Sequence, residues 1–160
     1  MKSSMETLAP HKEGGLQTIR MISETVRLVT DKRLELYNLT ERVADILKRH
    51  DIKEGLVLLS SLHTTLGLLV NEWQSALLHD IKAMLDKIVS PLEAWRHNDP
   101  RESDCDRHNA HSHLQATLLG HALSISVSKG KLVLGQFQAI ITAELDGPRQ
   151  RDLALQIIGH

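Results

Sequence analysis

The sequence predicts a single α+β domain built mostly of antiparallel β-sheets, sandwich-like, with two to three flanking helices. Apolar and polar residues alternate in segments of strand length, helical spacing separates some of these segments, and an alternating meander fills the last third. A length of 160 residues suits one domain with one core. We expect residues 1–15 to be a flexible N-terminal extension and residues 16–160 to form the domain.

Each element is predicted from its own pattern. Clean alternation predicts strands with one solvated face, the first of them in one or two hairpins, whereas continuous apolar runs predict strands buried on both faces. Helices are predicted from helical spacing of apolar residues, with Thr40 as a cap, Ser90-Pro91 as a stop and Gly120 as an end. In chain order the predicted elements are strands within residues 17–30 and at 33–37, a helix at 40–50, strands at 56–59 and 68–70, a helix at 75–89, a helix at 109–119 with Leu114, Leu118 and Leu119 as apolar positions, and strands at 123–128, 132–135, 137–145 and 152–158.

Composition argues against several classes of partner. Lys plus Arg number 19 against 20 for Asp plus Glu, so the net charge of −1 attracts neither nucleic acid nor a membrane surface. Aromatic residues are 2% of the chain, too few for base stacking, and no apolar run is long enough to span a membrane. Cys105 lies in an acidic run that disfavours its thiolate, and residues 1–13 lack the apolar core of a signal peptide. We therefore expect a cytoplasmic protein that binds neither nucleic acid nor membrane.

Histidines are concentrated in the centre of the chain. Three of the ten, His108, His111 and His113, fall within residues 107–113. Neutral imidazole binds metals and titrates near physiological pH, so this segment predicts part of a site. On a helix His111 and His113 are separated by about 200°, so His113 can face the site while His111 points elsewhere. The alternative is that these histidines lie on ordinary polar surfaces.

Two further segments carry candidate ligand-binding side chains. His63, Thr64 and Thr65 separate two apolar runs and are expected near the core, the alternative being a polar turn between edge strands. Arg149 and Arg151 follow a turn that exposes backbone N–H groups, which predicts a clamp for phosphate or carboxylate. A solvated turn with ion pairs is the alternative for that segment.

Several motifs in the same order resemble the YjbQ family, the secondary thiamine-phosphate synthase-like proteins. The resemblance covers about residues 16–159. It implies an α+β fold rich in antiparallel strands, a homotrimer and a weak thiamine-phosphate-forming activity. Gln136-Phe137-Gln138 departs from the Thr-Trp-Gln that is usual in the family. The motifs are His63-Thr64-Thr65 with Asn71-Glu72, His97-Asn98-Asp99, Asn109-Ala110-His111-Ser112-His113-Leu114, Leu132-Val133-Leu134-Gly135 with Gln138, and Glu144-Leu145-Asp146-Gly147-Pro148-Arg149.

Together, the segments and the resemblance predict one pocket for a small phosphorylated metabolite. His63, His97 and His113 come from three segments and are the predicted ligands of a divalent metal ion, Zn or Mg. No nucleotide cofactor is expected, because the sequence lacks a P-loop and a dinucleotide fingerprint. The residues predicted to orient imidazoles or act as acids and bases are Glu72, His97, Asp99 and Glu144. The residues predicted to contact substrate or phosphate are Thr64, Thr65, Asn109, Gln138, Arg149 and Arg151.

Three functions remain open on these residues. The first is condensation of hydroxymethylpyrimidine diphosphate with thiazole phosphate, which the resemblance implies. The second is a trimer that binds a small anionic metabolite without turnover, because a pocket of His, Arg and Glu would look the same. The third is metal-dependent hydrolysis of a phosphoester, with the imidazoles activating water through the metal.

Overall fold

The computed structural model describes residues 18–160, which form two antiparallel sheets and three α-helices. The predicted α+β class is therefore confirmed, whereas the predicted extension at residues 1–15 lies outside the described residues. The elements are β1 (Arg20–Val29), β2 (Glu35–Asn38), α1 (Thr40–Arg49), β3 (Gly55–Ser61), β4 (Leu66–Glu72), α2 (Ser75–Ile88), a 3-10 turn (Arg96–Asn98), α3 (Ala110–Leu119), β5 (Ala122–Ser128), β6 (Lys131–Leu132), β7 (Gln138–Glu144) and β8 (Gln150–Gly159).

The two sheets differ in their number of strands. One sheet has five strands in the order β1-β8-β3-β5-β6, and the other has three in the order β2-β7-β4. Strand β7 is central in the smaller sheet and is buried from Ala139 to Glu144. Ile140 packs into the core cluster that includes α1 and the larger sheet, whereas Ile141 packs with residues of α2 and α3. The smaller sheet is therefore the middle layer, with the larger sheet and α1 on one face and α2 and α3 on the other.

Some predicted pairings are wrong. Strands β1 and β2 do not form a hairpin, since β1 pairs with β8 and β2 pairs with β7 in the other sheet. Alternation reveals which face of a strand is solvated but carries no information on its partner. Strand β3 is not buried on both faces either, because Leu56 is 38% exposed while Val57 is buried.

Two helix details also differ from the prediction. Thr40 begins α1 without capping it; its hydroxyl oxygen accepts a hydrogen bond from the backbone N–H of Ile140 at 2.9 Å. In α3 the apolar residues Leu114 and Leu118 are exposed, because the helix turns a mostly polar face inward. The buried residues of α3 are Ala110, His111, Ser112, Gln115 and Ala116.

The helices among residues 18–160 are all too short or too polar to cross a membrane.

Candidate functional site

The candidate site is a cleft of about 330 Å³ where three loops meet. Strand β3 pairs with β8 and β4 pairs with β7, so the β3–β4 loop lies beside the β7–β8 turn. The start of α3 closes the third side. The lining residues are Leu62, His63, Thr64, Thr65, Asn109, His113, Asp146, Arg149 and Arg151. The structure therefore brings together seven of the predicted site residues from segments far apart in sequence.

Glu144 and Arg151 form a fully buried ion pair beneath the cleft. Their side chains are 0% and 2% exposed, and the distances are 2.6 Å from Arg151 Nε to Glu144 Oε2 and 2.5 Å from Nη2 to Oε1. Thr30 Oγ1 donates to Oε2, and the backbone N–H of Asp146 donates to Oε1. Because both oxygens of Glu144 accept two hydrogen bonds each, this carboxylate is saturated and fixes the position of Arg151.

Asp146 is a second buried carboxylate, and three side chains donate hydrogen bonds to its Oδ2. Its Oδ2 accepts from Arg107 Nε at 2.8 Å, from Asn109 Nδ2 at 2.8 Å and from Arg149 Nη2 at 3.3 Å. Burial opposes ionisation, but the hydrogen bonds from Arg107 and Asn109 outweigh it and lower the pKa of Asp146 below its ordinary value. Asp146 is therefore an anion at neutral pH that ties the start of α3 to the β7–β8 turn.

The charged side chains of the cleft do not cancel. Among its lining side chains Arg149 and Arg151 are cations and Asp146 is the one carboxylate, which leaves one positive charge in excess. The side chain of Arg149 is 38% exposed and is held by Asp146 only at 3.3 Å. Arg151 is 2% exposed, so Arg149 is the more accessible of the two lining cations to an anionic ligand.

His63 enters the cleft with one ring nitrogen already used. Its Nε2 accepts a hydrogen bond from the backbone N–H of Asp152 at 2.8 Å. Burial, followed by the charge of Arg151, lowers the pKa of His63, so the ring is neutral at pH 7. A neutral ring whose Nε2 accepts must carry its proton on Nδ1, so His63 offers a ligand a hydrogen-bond donor.

His113 and His97 form a pair of edge-to-face rings, with centroids 5.1 Å apart. Burial and the neighbouring His97 lower the pKa of His113, which keeps this imidazole neutral as well. His97 itself is exposed on the 3-10 turn and does not line the cleft. Within residues 18–160 no three or more His, Cys, Asp or Glu side chains are grouped to hold a metal ion. The metal role of the three histidines stays a prediction.

The predicted threonine and asparagine contacts differ in accessibility. Thr65 is 5% exposed, and its hydroxyl accepts from Arg151 Nη2 at 3.0 Å. Asn109 is 4% exposed and is engaged with Asp146. Thr64, in contrast, is exposed and lines the cleft. Thr64 is therefore the hydroxyl best placed to contact a ligand, while the other two hold the cleft in shape.

Three predicted site residues lie elsewhere. Glu72 and Gln138 are register partners at the far end of β4 and β7, roughly 20 Å from Glu144 along the strand. Asp99 forms an ion pair with Arg101 at 2.6 Å and lines a separate groove. Gln138 and Glu144 share one face of β7, as predicted, but a shared face does not place two residues in one site.

Sequence reasoning did not assign a role to several residues that build the cleft. The guanidinium of Arg107 bonds to Asp146, and the side-chain oxygen of Asn98 accepts from the backbone N–H of Ala110 at the start of α3. Gly147 is required by a close approach, because a Cβ there would lie 2.2 Å from the carbonyl oxygen of Lys32. The Asp-Gly-Pro-Arg turn was the available signal for Asp146 and Gly147.

Comparison with known proteins gives one consistent family. A family model described as UPF0047 protein, YjbQ-like, matches residues 24–160. A UPF0047 protein from Methanothermobacter thermautotrophicus is 35% identical over 88% of this chain and 94% of its own length. The UPF0047 protein YugU from Bacillus subtilis is 30% identical over 85% of this chain and 98% of its own length.

Solved structures agree with these relatives. The structure of a YbjQ-like protein of unknown function from Sulfolobus solfataricus P2 has a TM-score of 0.83 at 33% identity, covering 89% of this chain and all of that one. A hypothetical protein from Aeropyrum pernix K1 has a TM-score of 0.78 at 32% identity, covering 86% of this chain and 98% of that one. The fold is therefore shared over 86–89% of this chain and nearly the full length of both solved relatives.

Proposed function

The chain belongs to the YjbQ-like UPF0047 family, and from this premise we propose that its cleft binds a small phosphorylated metabolite. The excess positive charge beside the half-exposed Arg149 is the observation that carries the proposal. Arginine binds phosphate oxygens through paired, charge-assisted hydrogen bonds. Thr64 and the Nδ1–H of neutral His63 supply further hydrogen-bond donors without adding charge. A phosphate group fits this set of donors.

The reaction that we propose for this site is the condensation of hydroxymethylpyrimidine diphosphate with thiazole phosphate. The ring nitrogen of the thiazole forms a C–N bond to the methylene carbon as the C–O bond to pyrophosphate breaks. The electron pair of the C–O bond leaves with pyrophosphate, and no net proton transfer is needed. Arg149 would stabilise the charge that develops on the leaving group, while neutral His113 would orient the substrate by a hydrogen bond.

An assay with both precursors tests this reaction directly. We expect purified protein to form thiamine phosphate, and Arg149→Gln to lower the rate at least tenfold because one charge-assisted hydrogen bond contributes about 1.5–3 kcal/mol. Arg101→Gln removes the same charge at a residue that does not line the cleft and is the matched control. If wild-type protein forms no product yet binds pyrophosphate, turnover is wrong and the binding function without catalysis takes its place.

A metal-dependent phosphoester hydrolase is the second candidate, favoured by the pairing of His97 with His113. In that case Zn or Mg would be held by these rings, and His63 would join only if its Nε2 gave up the hydrogen bond from Asp152, because its Nδ1 carries the proton. The ion would activate water for attack on phosphorus. Hydrolysis of a generic phosphomonoester that appears with added Zn²⁺ or Mg²⁺, disappears with chelator and is lost in His97→Ala would support it. Activity that changes neither with chelator nor in His97→Ala would exclude a metal-dependent hydrolase.

We also propose that the chain acts as a cytoplasmic homotrimer. Leu114 and Leu118 lie one turn apart on the outward face of α3 and are 39% and 57% exposed, and Leu62 at the rim of the cleft is 61% exposed. Exposed apolar side chains on one helix face suit a subunit interface. A solution mass three times that of the chain, which falls in Leu118→Asp, is the expected result. A monomeric wild-type mass would contradict it.

A further inference from the structure

A second cavity lies on the opposite side of the start of α3. Its volume is about 380 Å³, within the range of small-molecule sites. It shares no lining residue with the first cleft. The lining residues are Arg33, Leu34, Asp86, Pro91, His108, His111, Gln115 and Leu145. No pattern in the sequence predicts this cavity, because its residues come from four separate segments.

Arg33 and Asp86 carry opposite charges and line this cavity without forming an ion pair with each other. The guanidinium of Arg33 has its only ion pair among residues 18–160 with Asp146, at a long 3.8 Å. Asp86 accepts from Gln115 Nε2 at 3.1 Å through Oδ1, while its Oδ2 has no hydrogen-bond partner in the same range of residues. No ion pair within residues 18–160 joins Arg33 to Asp86. A cation and an anion that face one cavity but stay apart are complementary to a ligand that carries both charges.

His111 adds an unused buried polar atom to this cavity. The side chain is only 8% exposed, and its Nδ1 is buried with no hydrogen-bond partner among residues 18–160. Leaving such an atom unpaired costs about 1–3 kcal/mol. His108, at the edge of the cavity, adopts φ of +51° and donates from Nδ1 to the carbonyl of Asn98. Strained backbone and unpaired polar atoms are features that persist at ligand sites.

The remaining wall is apolar. Leu145 is fully buried, Leu34 is partly buried, and Pro91 is exposed at the rim. We propose that this cavity binds a small zwitterion of the aliphatic amino-acid class. Its carboxylate contacts Arg33, its ammonium group contacts the free oxygen of Asp86, and its side chain packs on Leu34, Pro91 and Leu145. Gln115 holds Asp86 in place through the amide hydrogen bond.

Titration of the protein with three probes, followed by the imidazole nitrogen signals of His108 and His111, tests the proposal. L-valine carries both charges, isovalerate lacks the ammonium group, and isobutylamine lacks the carboxylate. We expect saturable shifts of both signals with L-valine and affinities at least tenfold weaker for each of the other probes, since each loses one charged contact. The signals of His63 and His113 in the first cleft should stay unchanged.

Variants separate this cavity from the first cleft. Arg33→Gln and Asp86→Asn each remove one charge at an accessible position and should weaken L-valine binding at least tenfold. Arg149→Gln is the matched control and should leave L-valine binding intact. The proposal is overturned if L-valine causes no saturable shift, if isovalerate binds as well as L-valine, or if the two cavity variants bind like wild type.

Discussion

The two ends of strand β7 carry polar residues on the same face, but these residues differ in burial and in hydrogen-bond partners. At the carboxyl end Glu144 is 0% exposed and forms a saturated ion pair with Arg151. At the amino end Gln138 is exposed, and its side-chain oxygen accepts from the backbone N–H of Gly135 at 2.7 Å. Both residues occupy the same face of the strand, yet only one end is covered by loops from two sheets. Position along a strand, rather than its face, therefore decides which polar residues build the site.

The largest expected effect comes from removing the charge at the buried end. Glu144→Gln leaves the charge of Arg151 without its buried counter-ion. Breaking such a pair costs about 3–5 kcal/mol of unfolding free energy. Glu72→Gln removes the same charge at the exposed end and should change stability by less than about 0.5 kcal/mol. Denaturant unfolding of both variants measures the contrast, and equal losses would show that the two ends do not differ.

Acid dependence sharpens the comparison, because Asp146 near the buried end has a lowered pKa. A carboxyl whose pKa is lower in the folded state stabilises the fold above its ordinary value of about 3.9. That contribution disappears as pH falls through the folded-state pKa. The stability difference between wild type and Asp146→Asn should therefore be largest near neutral pH and shrink below about pH 4. If the difference in unfolding free energy between wild type and Asp146→Asn stayed constant across this pH range, the ion-pair account of Asp146 would be contradicted.

The smallest effect is expected at the exposed end. Gln138→Ala removes the hydrogen bond to Gly135 and should cost about 0.5–1.5 kcal/mol of unfolding free energy. Because Gln138 lies far from the cleft, pyrophosphate binding should not change. A clear loss of pyrophosphate affinity in Gln138→Ala would mean that the two ends of β7 act on one ligand.

Local patterns in the sequence were sufficient for the fold class and for most helices and strands. The helix from Ser75 to Ile88 and the last strand, Gln150–Gly159, follow directly from their periodicity. Strand partners did not follow, because β1 and β2 have similar alternation but join different sheets. The polar inward face of α3 did not follow either. The sequence predicts Leu114 and Leu118 as apolar positions of the helix, but both are exposed on its outer face.

The candidate site could be predicted in part. Histidine, threonine and arginine segments were identified because they interrupt regular patterns, and His63, His113 and Arg149 do line one cleft. Glu72, Asp99 and Gln138 do not lie in the pocket where they were predicted. Glu72 and Gln138 lie at the far end of their strands, and Asp99 pairs with Arg101 within a loop. Sequence spacing predicts neither arrangement. The contact of Arg107 with Asp146 is not predictable from spacing, because the two residues are 39 positions apart.

Calorimetric titration of inorganic pyrophosphate tests the central claim, that the cleft beside Arg149 is an anion site. We expect wild-type protein to bind pyrophosphate, Arg149→Gln to bind about 10–100-fold more weakly, and Arg101→Gln to bind like wild type. Each tenfold change corresponds to about 1.4 kcal/mol, which matches the loss of one charge-assisted hydrogen bond. Equal affinities for wild type and Arg149→Gln would contradict the account.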